Sequence, residues 1–210
     1  MSLQTDLEAE VARVWTSQDD GAHDIWHLRR VWANCQRIGD ALYHEIDQDV
    51  LLIAAYLHDI VNLAKNDPRR ARAAELSAAH AVAWMAERHL PGQDAVAHAI
   101  CAHSFSAGHP CQTIEAQVLQ DADRLEALGA IGIARCFNVS GQMGIGLVHG
   151  ADPLAEARDL DDRAYALDHF AVKLWQVAEG MNTAPARDMA AVRVARMRRY
   201  VADLVEESRV

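Results

Sequence analysis

The stretch DVLLIAAYLHDIV, residues 49–61, is the most apolar segment of the chain and decides how the rest is interpreted. Its apolar side chains occur almost all round a helix, which is typical of a helix buried at the centre of a domain. The stretch is too short to span a bilayer, because a membrane helix needs about 20 apolar residues. It therefore predicts a central core helix that begins at Asp49 and ends near His58 and Asp59.

Helical periodicity continues on both sides of this segment, and no run of alternating β-branched residues predicts a strand. Asp24 is a suitable N-cap for a second helix. The Ala-rich segment 68–90 opens with Pro68, a residue that favours helix starts, and it stops before Pro91. We therefore expect an all-α fold. Further helices are expected at 4–17, 92–104, 113–128, 129–139, 164–180 and 185–207.

The segment 140–162 breaks this pattern, because it contains several glycines and a proline followed by acidic residues. An irregular stretch of this length within a domain is expected to be a functional loop or a surface excursion. A loop of this kind can close over a site as a lid. No repeat or linker divides the chain, so we expect a single domain over residues 1–210.

Composition limits the classes of partner. The 210 residues carry a formal net charge of −10, which argues against binding to nucleic acid, because phosphate backbones favour clustered cations. The acidic start lacks a signal peptide, the four cysteines show no CxxC pair, and no segment is long enough to cross a membrane. These features predict a cytoplasmic protein with reduced, mostly buried thiols. Nothing in the sequence indicates an oligomeric state.

The His58–Asp59 pair is chemically unusual at the end of an apolar helix, since a buried imidazole and carboxylate must both be compensated. A hydrogen-bonded buried pair would achieve this, and so would a divalent cation that takes both as ligands. Two further segments place His or Asp among apolar residues. His23 and His27 lie four apart on one helix face, and QDADRL, residues 120–125, carries two aspartates on a mostly apolar helix.

The order of these motifs resembles the HD-domain phosphohydrolase superfamily: HxxxV at 27–31, LHD at 57–59 and ADRL at 122–125. The resemblance spans nearly the whole chain and is strongest to a subgroup of small bacterial HD hydrolases. The blocks that carry it are HDIWHLRRV at 23–31, AAYLHDIVNLAKNDP at 54–68, AHSFSAG at 102–108, QDADRLEALGAIGIAR at 120–135 and ALDHFAVKL at 166–174.

The resemblance implies a helical HD-domain bundle and a set of metal ligands. The first His of the family falls on His27, the HD pair on His58 and Asp59, and the last Asp on Asp123. Periodicity alone does not choose between Asp121 and Asp123. The ADRL pattern selects Asp123, and a shift of two residues would make Asp121 the ligand.

The resemblance also implies one divalent metal ion as cofactor. Two nitrogens and two oxygens leave open positions on a six-coordinate ion, which suits Mn²⁺, Mg²⁺, Co²⁺ or Fe²⁺ and, less distinctively, Zn²⁺. Such an ion lowers the pKa of bound water from about 15.7 toward roughly 7 to 9, so that hydroxide can attack phosphorus. Asn62 is expected to position this metal-bound water. Many enzymes of the family carry an acid at this offset, and an amide cannot accept the proton.

Several residues near the motifs are candidates for substrate binding. His58, Asn62 and Lys65 would share one helix stripe if the helix continued, which would place Lys65 near a substrate phosphate; a solvated turn lysine is the alternative. His103 is expected to contact substrate, although His98 and His103 could also support a second metal. The remaining candidates are His23, Arg124 and Arg135, with a helix-start or surface role for His23 and ordinary ion pairs for Arg124 as alternatives.

The sequence thus predicts a metal-dependent phosphohydrolase that acts on a small phosphorylated metabolite. The family resemblance favours a nucleotide, as a triphosphate pyrophosphohydrolase or a nucleotide phosphatase. One alternative is a regulatory module that binds metal and nucleotide with weak catalysis, which Asn62 favours. Another is a di-iron oxygenase, which needs more histidine ligands than the sequence places.

Overall fold

The computed structural model describes residues 2–15, 24–63, 67–104 and 108–208, and within these ranges the protein is all-α. The expected fold class is confirmed. No strand occurs among the described residues, and a lone bridge pairs Gly146 with Tyr165. The described α-helices are α1 (Leu3–Val14), α2 (Ile25–Asp40), α3 (Gln48–Leu57), α4 (Ala73–Glu87), α5 (Gln93–His103), α6 (Ile114–Glu126), α7 (Gly129–Gln142), α8 (Trp175–Glu179) and α9 (Ala184–Glu207).

The chain divides into two compact units, Met1–Asp123 and Arg124–Val210. In the first unit, α3 packs against α1, α2, α4 and α5. Every residue of α3 from Ile53 to Leu57 is buried, as its apolar character predicts. The most apolar segment of the sequence is therefore the central helix of this unit.

The ends of α3 are fixed by side chains. The Asp47 carboxylate accepts hydrogen bonds from the N–H groups of Asp49 and Val50, so the helix begins at Gln48, one residue before the predicted start. At the other end, the N–H of Val61 donates to Ser77 Oγ over 3.1 Å instead of continuing the helix. The helix consequently ends at Leu57.

Two predictions about helices in the first unit are wrong. Because α3 stops before His58, no helical stripe extends from His58 through Asn62. Segment 68–90 is not one helix from Pro68, because the Asp67 carboxylate accepts from the Arg69 N–H and turns the chain. A 3-10 turn, Arg70–Arg72, follows, and α4 begins only at Ala73.

In the second unit, α9 packs against α7 and α8. The predicted irregular segment starts later than 140, because α7 continues to Gln142, and turns extend to about residue 167. The predicted helix 164–180 is correspondingly shorter: a π-helical segment, Phe170–Leu174, leads directly into α8.

The irregular segment is anchored by an ion pair between the partly exposed Arg158 and the buried Asp168. The Arg158 guanidinium donates two hydrogen bonds to the Asp168 carboxylate, at 2.6 and 2.7 Å, and the Asp161 N–H donates to the same carboxylate. The loop is therefore an ordered element. None of the described helices combines the length and the apolarity that crossing a bilayer requires.

Candidate metal centre

The candidate site lies in the first unit and is assembled from three places in the chain. His27 is on the first turn of α2, where the Asp24 carboxylate caps the helix by accepting from the His27 N–H at 2.7 Å. Its imidazole is completely buried. The capping residue therefore fixes the helix start that carries the first histidine.

His58 and Asp59 occupy the turn that follows α3. In a continuous helix, adjacent side chains diverge by about 100°. The turn brings them together instead, with His58 Nε2 3.4 Å from Asp59 Oδ2. His58 is completely buried, whereas about 30% of the Asp59 side chain is exposed.

Asp123 is on α6, and the structure places this residue, not Asp121, beside the histidines. Asp123 Oδ1 lies 3.6 Å from His27 Nε2 and 3.8 Å from His58 Nε2. Asn34 on α2 donates to the Ala122 carbonyl, which fixes α6 against α2 at this point. Asp121 is completely buried and is not among the residues of the described chain whose ligand atoms converge.

Two overlapping groups of ligand atoms result, each with all its atoms within 4.8 Å of one another. His27, His58 and Asp123 form the first group, and His58, Asp59 and His103 form the second. His58 belongs to both. The four residues expected as ligands are therefore divided between the two groups: His27 and Asp123 converge on His58 in the first, and Asp59 converges on His58 together with His103 in the second.

The hydrogen bonds of two histidines determine which ring nitrogen faces the site. His58 Nδ1 is 2.9 Å from the Ala55 carbonyl, and His103 Nδ1 contacts the Ile100 carbonyl. A carbonyl only accepts, so both Nδ1 atoms carry the proton, and in the neutral ring Nε2 presents a lone pair. These lone pairs face the two oxygens of Asp59, at 3.4 Å from His58 and 3.6 Å from His103.

A lone pair directed at a carboxylate is unfavourable unless a proton or a metal cation lies between them. Within the described chain, His58 Nε2 is buried without a hydrogen-bond partner. Although burial opposes its protonation, the carboxylates of Asp59 and Asp123 raise the pKa of His58 to about 9. Burial acts to raise the pKa of Asp59, but His58 and His103 hold it well below its usual range. The field at this point thus favours positive charge.

The donor set fits a divalent metal ion. Neutral imidazole nitrogens and carboxylate oxygens are the ligands that such ions take in proteins, and a carbonyl that fixes the histidine tautomer is a common outer partner of such ligands. The imidazoles are buried, whereas Asp123 and Asp59 are 28% and 30% exposed. A bound ion would therefore be reached from the carboxylate side.

The remaining predicted site residues lie in different parts of the molecule. Asn62 and His103 line one cavity together with Asp59. His98 is occupied elsewhere, because its Nε2 accepts from the Gln112 N–H at 3.0 Å. His23 and Lys65 fall outside the described residues. Arg124 and Arg135 belong to the second unit, where Arg124 donates to the Gly180 carbonyl.

Arg70 also lines the cavity of Asp59 and His103, and sequence reasoning did not select it. The sequence PRRARAAEL, residues 68–76, offers three arginines that no periodicity distinguishes once the predicted helix is replaced by a turn. The usable signal was proximity in sequence to the HD motif, which pointed to Lys65 instead.

Comparison with known proteins supports the same motifs. A family model for the HD domain matches residues 25–128. The chain is also similar to the uncharacterized protein YpgQ of Bacillus subtilis, with 30% identity over 209 residues that cover 95% of this chain and 93% of the relative.

Two solved structures are similar to nearly the whole length of this chain. An HD-superfamily hydrolase from Bacillus thuringiensis is 28% identical, with a TM-score of 0.72 and 98% of each chain covered. The structure of Bacillus subtilis YpgQ in complex with ADP is 30% identical, with a TM-score of 0.75, covering 97% of this chain and 94% of the other.

Proposed function

Because this chain belongs to the HD-domain family, we propose that it is a divalent-metal-dependent phosphohydrolase whose substrate is a nucleotide. The observation that carries the proposal is the pair of overlapping ligand-atom groups that share His58: one with His27 and Asp123, the other with Asp59 and His103. The orientation of the His58 ring supports it, because the Ala55 carbonyl directs the Nε2 lone pair into the group.

A bound ion would supply a Lewis acid for the phosphoryl group and an acidified water as nucleophile. The protein residues prepare this chemistry. His27 and His58 would hold the ion from the buried side, and the partly exposed carboxylates of Asp59 and Asp123 would complete its coordination beside the cavity. Asn62, which lines that cavity, would orient a water molecule through its amide.

A nucleotide is the proposed substrate class for two reasons. Bacillus subtilis YpgQ, similar to this chain over nearly its whole length, has been crystallised with ADP. Arg70 lines the cavity beside Asp59, and a guanidinium is suited to binding an anionic phosphate. The ion would be Mn²⁺, Mg²⁺, Co²⁺, Fe²⁺ or Zn²⁺.

The test is phosphate and pyrophosphate release from a panel of nucleoside mono-, di- and triphosphates with each metal. We expect turnover that Asp59→Ala reduces by at least about 100-fold, since it removes a metal ligand. Asp40→Ala, which changes an exposed carboxylate, is the matched control and should retain full turnover. Equal turnover in Asp59→Ala and wild type would contradict the proposal.

A second candidate function is a regulatory module that binds metal and nucleotide without efficient hydrolysis. Asn62 favours it, because an amide cannot act as a general base. The same panel separates the two functions: a binding module would raise its melting temperature with nucleotide and release no phosphate.

A further inference from the structure

A cavity of about 420 Å³ adjoins the turn that carries His58 and Asp59. Its size falls in the range of small-molecule binding sites. The polar residues that line it are Asp59, Asn62, Arg70, His103 and Ser104. The cavity thus connects a proposed metal ligand with a cationic side chain.

Arg70 is the sole lysine or arginine among the described residues that line this cavity. It begins the 3-10 turn before α4, and its Nη1 donates to the Leu63 carbonyl at 2.7 Å. That bond holds the side chain against the segment that follows the HD motif. A guanidinium has five N–H donors, and this contact uses one of them.

The neighbouring arginines differ from Arg70 in how their charges are balanced. Arg69 donates two hydrogen bonds to the Asp67 carboxylate, and Arg72 pairs with Glu75. Within the described part of the chain, Arg70 forms an ion pair with no carboxylate and contacts a neutral carbonyl. Arg70 is exposed, and in a protein with a net charge of −10 it is a local positive charge beside the cavity that an anionic ligand can reach.

The arrangement fits a ligand with two anionic groups. The phosphoryl group that reacts would lie at the Asp59 side of the cavity, next to the ion. A further phosphate of the same tail would need a second cation, and a guanidinium binds phosphate oxygens through paired N–H groups. A monophosphate would leave Arg70 without this partner.

We propose that Arg70 binds a phosphate of the substrate that the metal does not hold, so that the site prefers nucleoside diphosphates and triphosphates over monophosphates. This inference rests on the proposed function. It makes Arg70 a specificity-determining residue.

The test measures binding of AMP and of α,β-methylene ADP, whose bridging carbon prevents hydrolysis, to the Mn²⁺-loaded full chain by calorimetry. We expect the wild type to prefer the diphosphate. Arg70→Met should weaken the affinity for α,β-methylene ADP by at least about tenfold and change the affinity for AMP by less than about twofold. Arg70→Lys keeps the charge and loses the paired donors, so its affinity for α,β-methylene ADP should lie between those of the wild type and Arg70→Met.

Arg69→Met is the matched control, because it removes the adjacent arginine that Asp67 already neutralises, and it should bind both nucleotides as the wild type does. If Arg70→Met loses affinity for both nucleotides equally, the residue has a structural role and the inference is overturned. A wild type that binds AMP as tightly as the diphosphate would also overturn it. If Arg70→Met binds as the wild type while Asp59→Ala loses turnover, the inference fails and the proposed function stands. If Asp59→Ala keeps full turnover, the proposed function fails, and the inference that rests on it fails with it.

Discussion

At the scale of single residues, the main feature is the orientation of His58. Its Nδ1 is committed to the Ala55 carbonyl, so the nitrogen that faces Asp59 and Asp123 is the one that can bind a cation. The neighbouring carboxylates favour positive charge on this ring. A divalent ion bound at this nitrogen would be stabilised by the same carboxylates.

The two aspartates of α6 provide a matched pair for testing the ligand set. Asp123→Asn should weaken Mn²⁺ binding by at least about tenfold, because Asp123 Oδ1 faces both His27 and His58. Asp121→Asn should change the affinity of the folded protein by less than about threefold, whatever its effect on stability. Calorimetric titration with Mn²⁺ measures both. The opposite ranking would make Asp121 the ligand.

At this scale, the sequence predicted that His58 and Asp59 would both be buried, because such groups are costly in an apolar environment without a partner. The structure buries His58 and leaves about 30% of the Asp59 side chain exposed. The sequence could not choose Asp123 by periodicity, and only the family pattern did so. It also missed Arg70. Which of three adjacent arginines lines a cavity depends on the local turn and on the carboxylates of Asp67 and Glu75, which neutralise the other two.

At the scale of elements, apolar patterning predicted the helices well, and the ends of helices less well. The end of α3 depends on the bond from Val61 N–H to Ser77 Oγ, which joins residues 16 positions apart. Local sequence carries no signal for such a bond. The irregular segment was predicted at 140–162 and lies a few residues later, at about 143–167. Its order comes from the pairing of Arg158 with Asp168, which composition does not reveal.

The ion pair of this segment can be tested directly. Arg158→Met leaves the Asp168 carboxylate, 2% exposed, without its two strongest donors, and loss of one partner of a buried pair is destabilising. We expect faster cleavage between about residues 143 and 167 in limited proteolysis and a lower melting temperature. Arg163→Met, at an exposed position of the same segment, is the control. Identical cleavage of the two variants would show that the pair does not order the loop.

At the scale of the whole molecule, the stability of the first unit depends on ionised groups between its helices. Glu8 on α1 accepts hydrogen bonds from Arg29 on α2 and from Tyr56 on α3. The bonds from Arg29 dominate and, although burial opposes them, they lower the pKa of Glu8 to about 2. The charge of Glu8 therefore stabilises the folded chain above pH 4.5, and this stabilisation disappears as the pH falls through about 2.

Glu8→Gln should consequently lower stability at neutral pH by about 1–2 kcal/mol, after allowance for solvent screening. The difference from the wild type should vanish as the pH approaches 2, because the wild-type carboxylate is then protonated. Melting temperatures at a series of pH values measure this, with Glu45→Gln as an exposed control. Parallel curves for the wild type and Glu8→Gln would refute the assignment.

We propose that side chains from three separate segments bind one divalent ion. The most direct measurement is an anomalous difference map from crystals grown with Mn²⁺, with data collected above and below the manganese edge. We expect a peak among His27 Nε2, His58 Nε2 and the carboxylates of Asp59 and Asp123. A map without a peak among these atoms, at a Mn²⁺ concentration that saturates binding in solution, would contradict it.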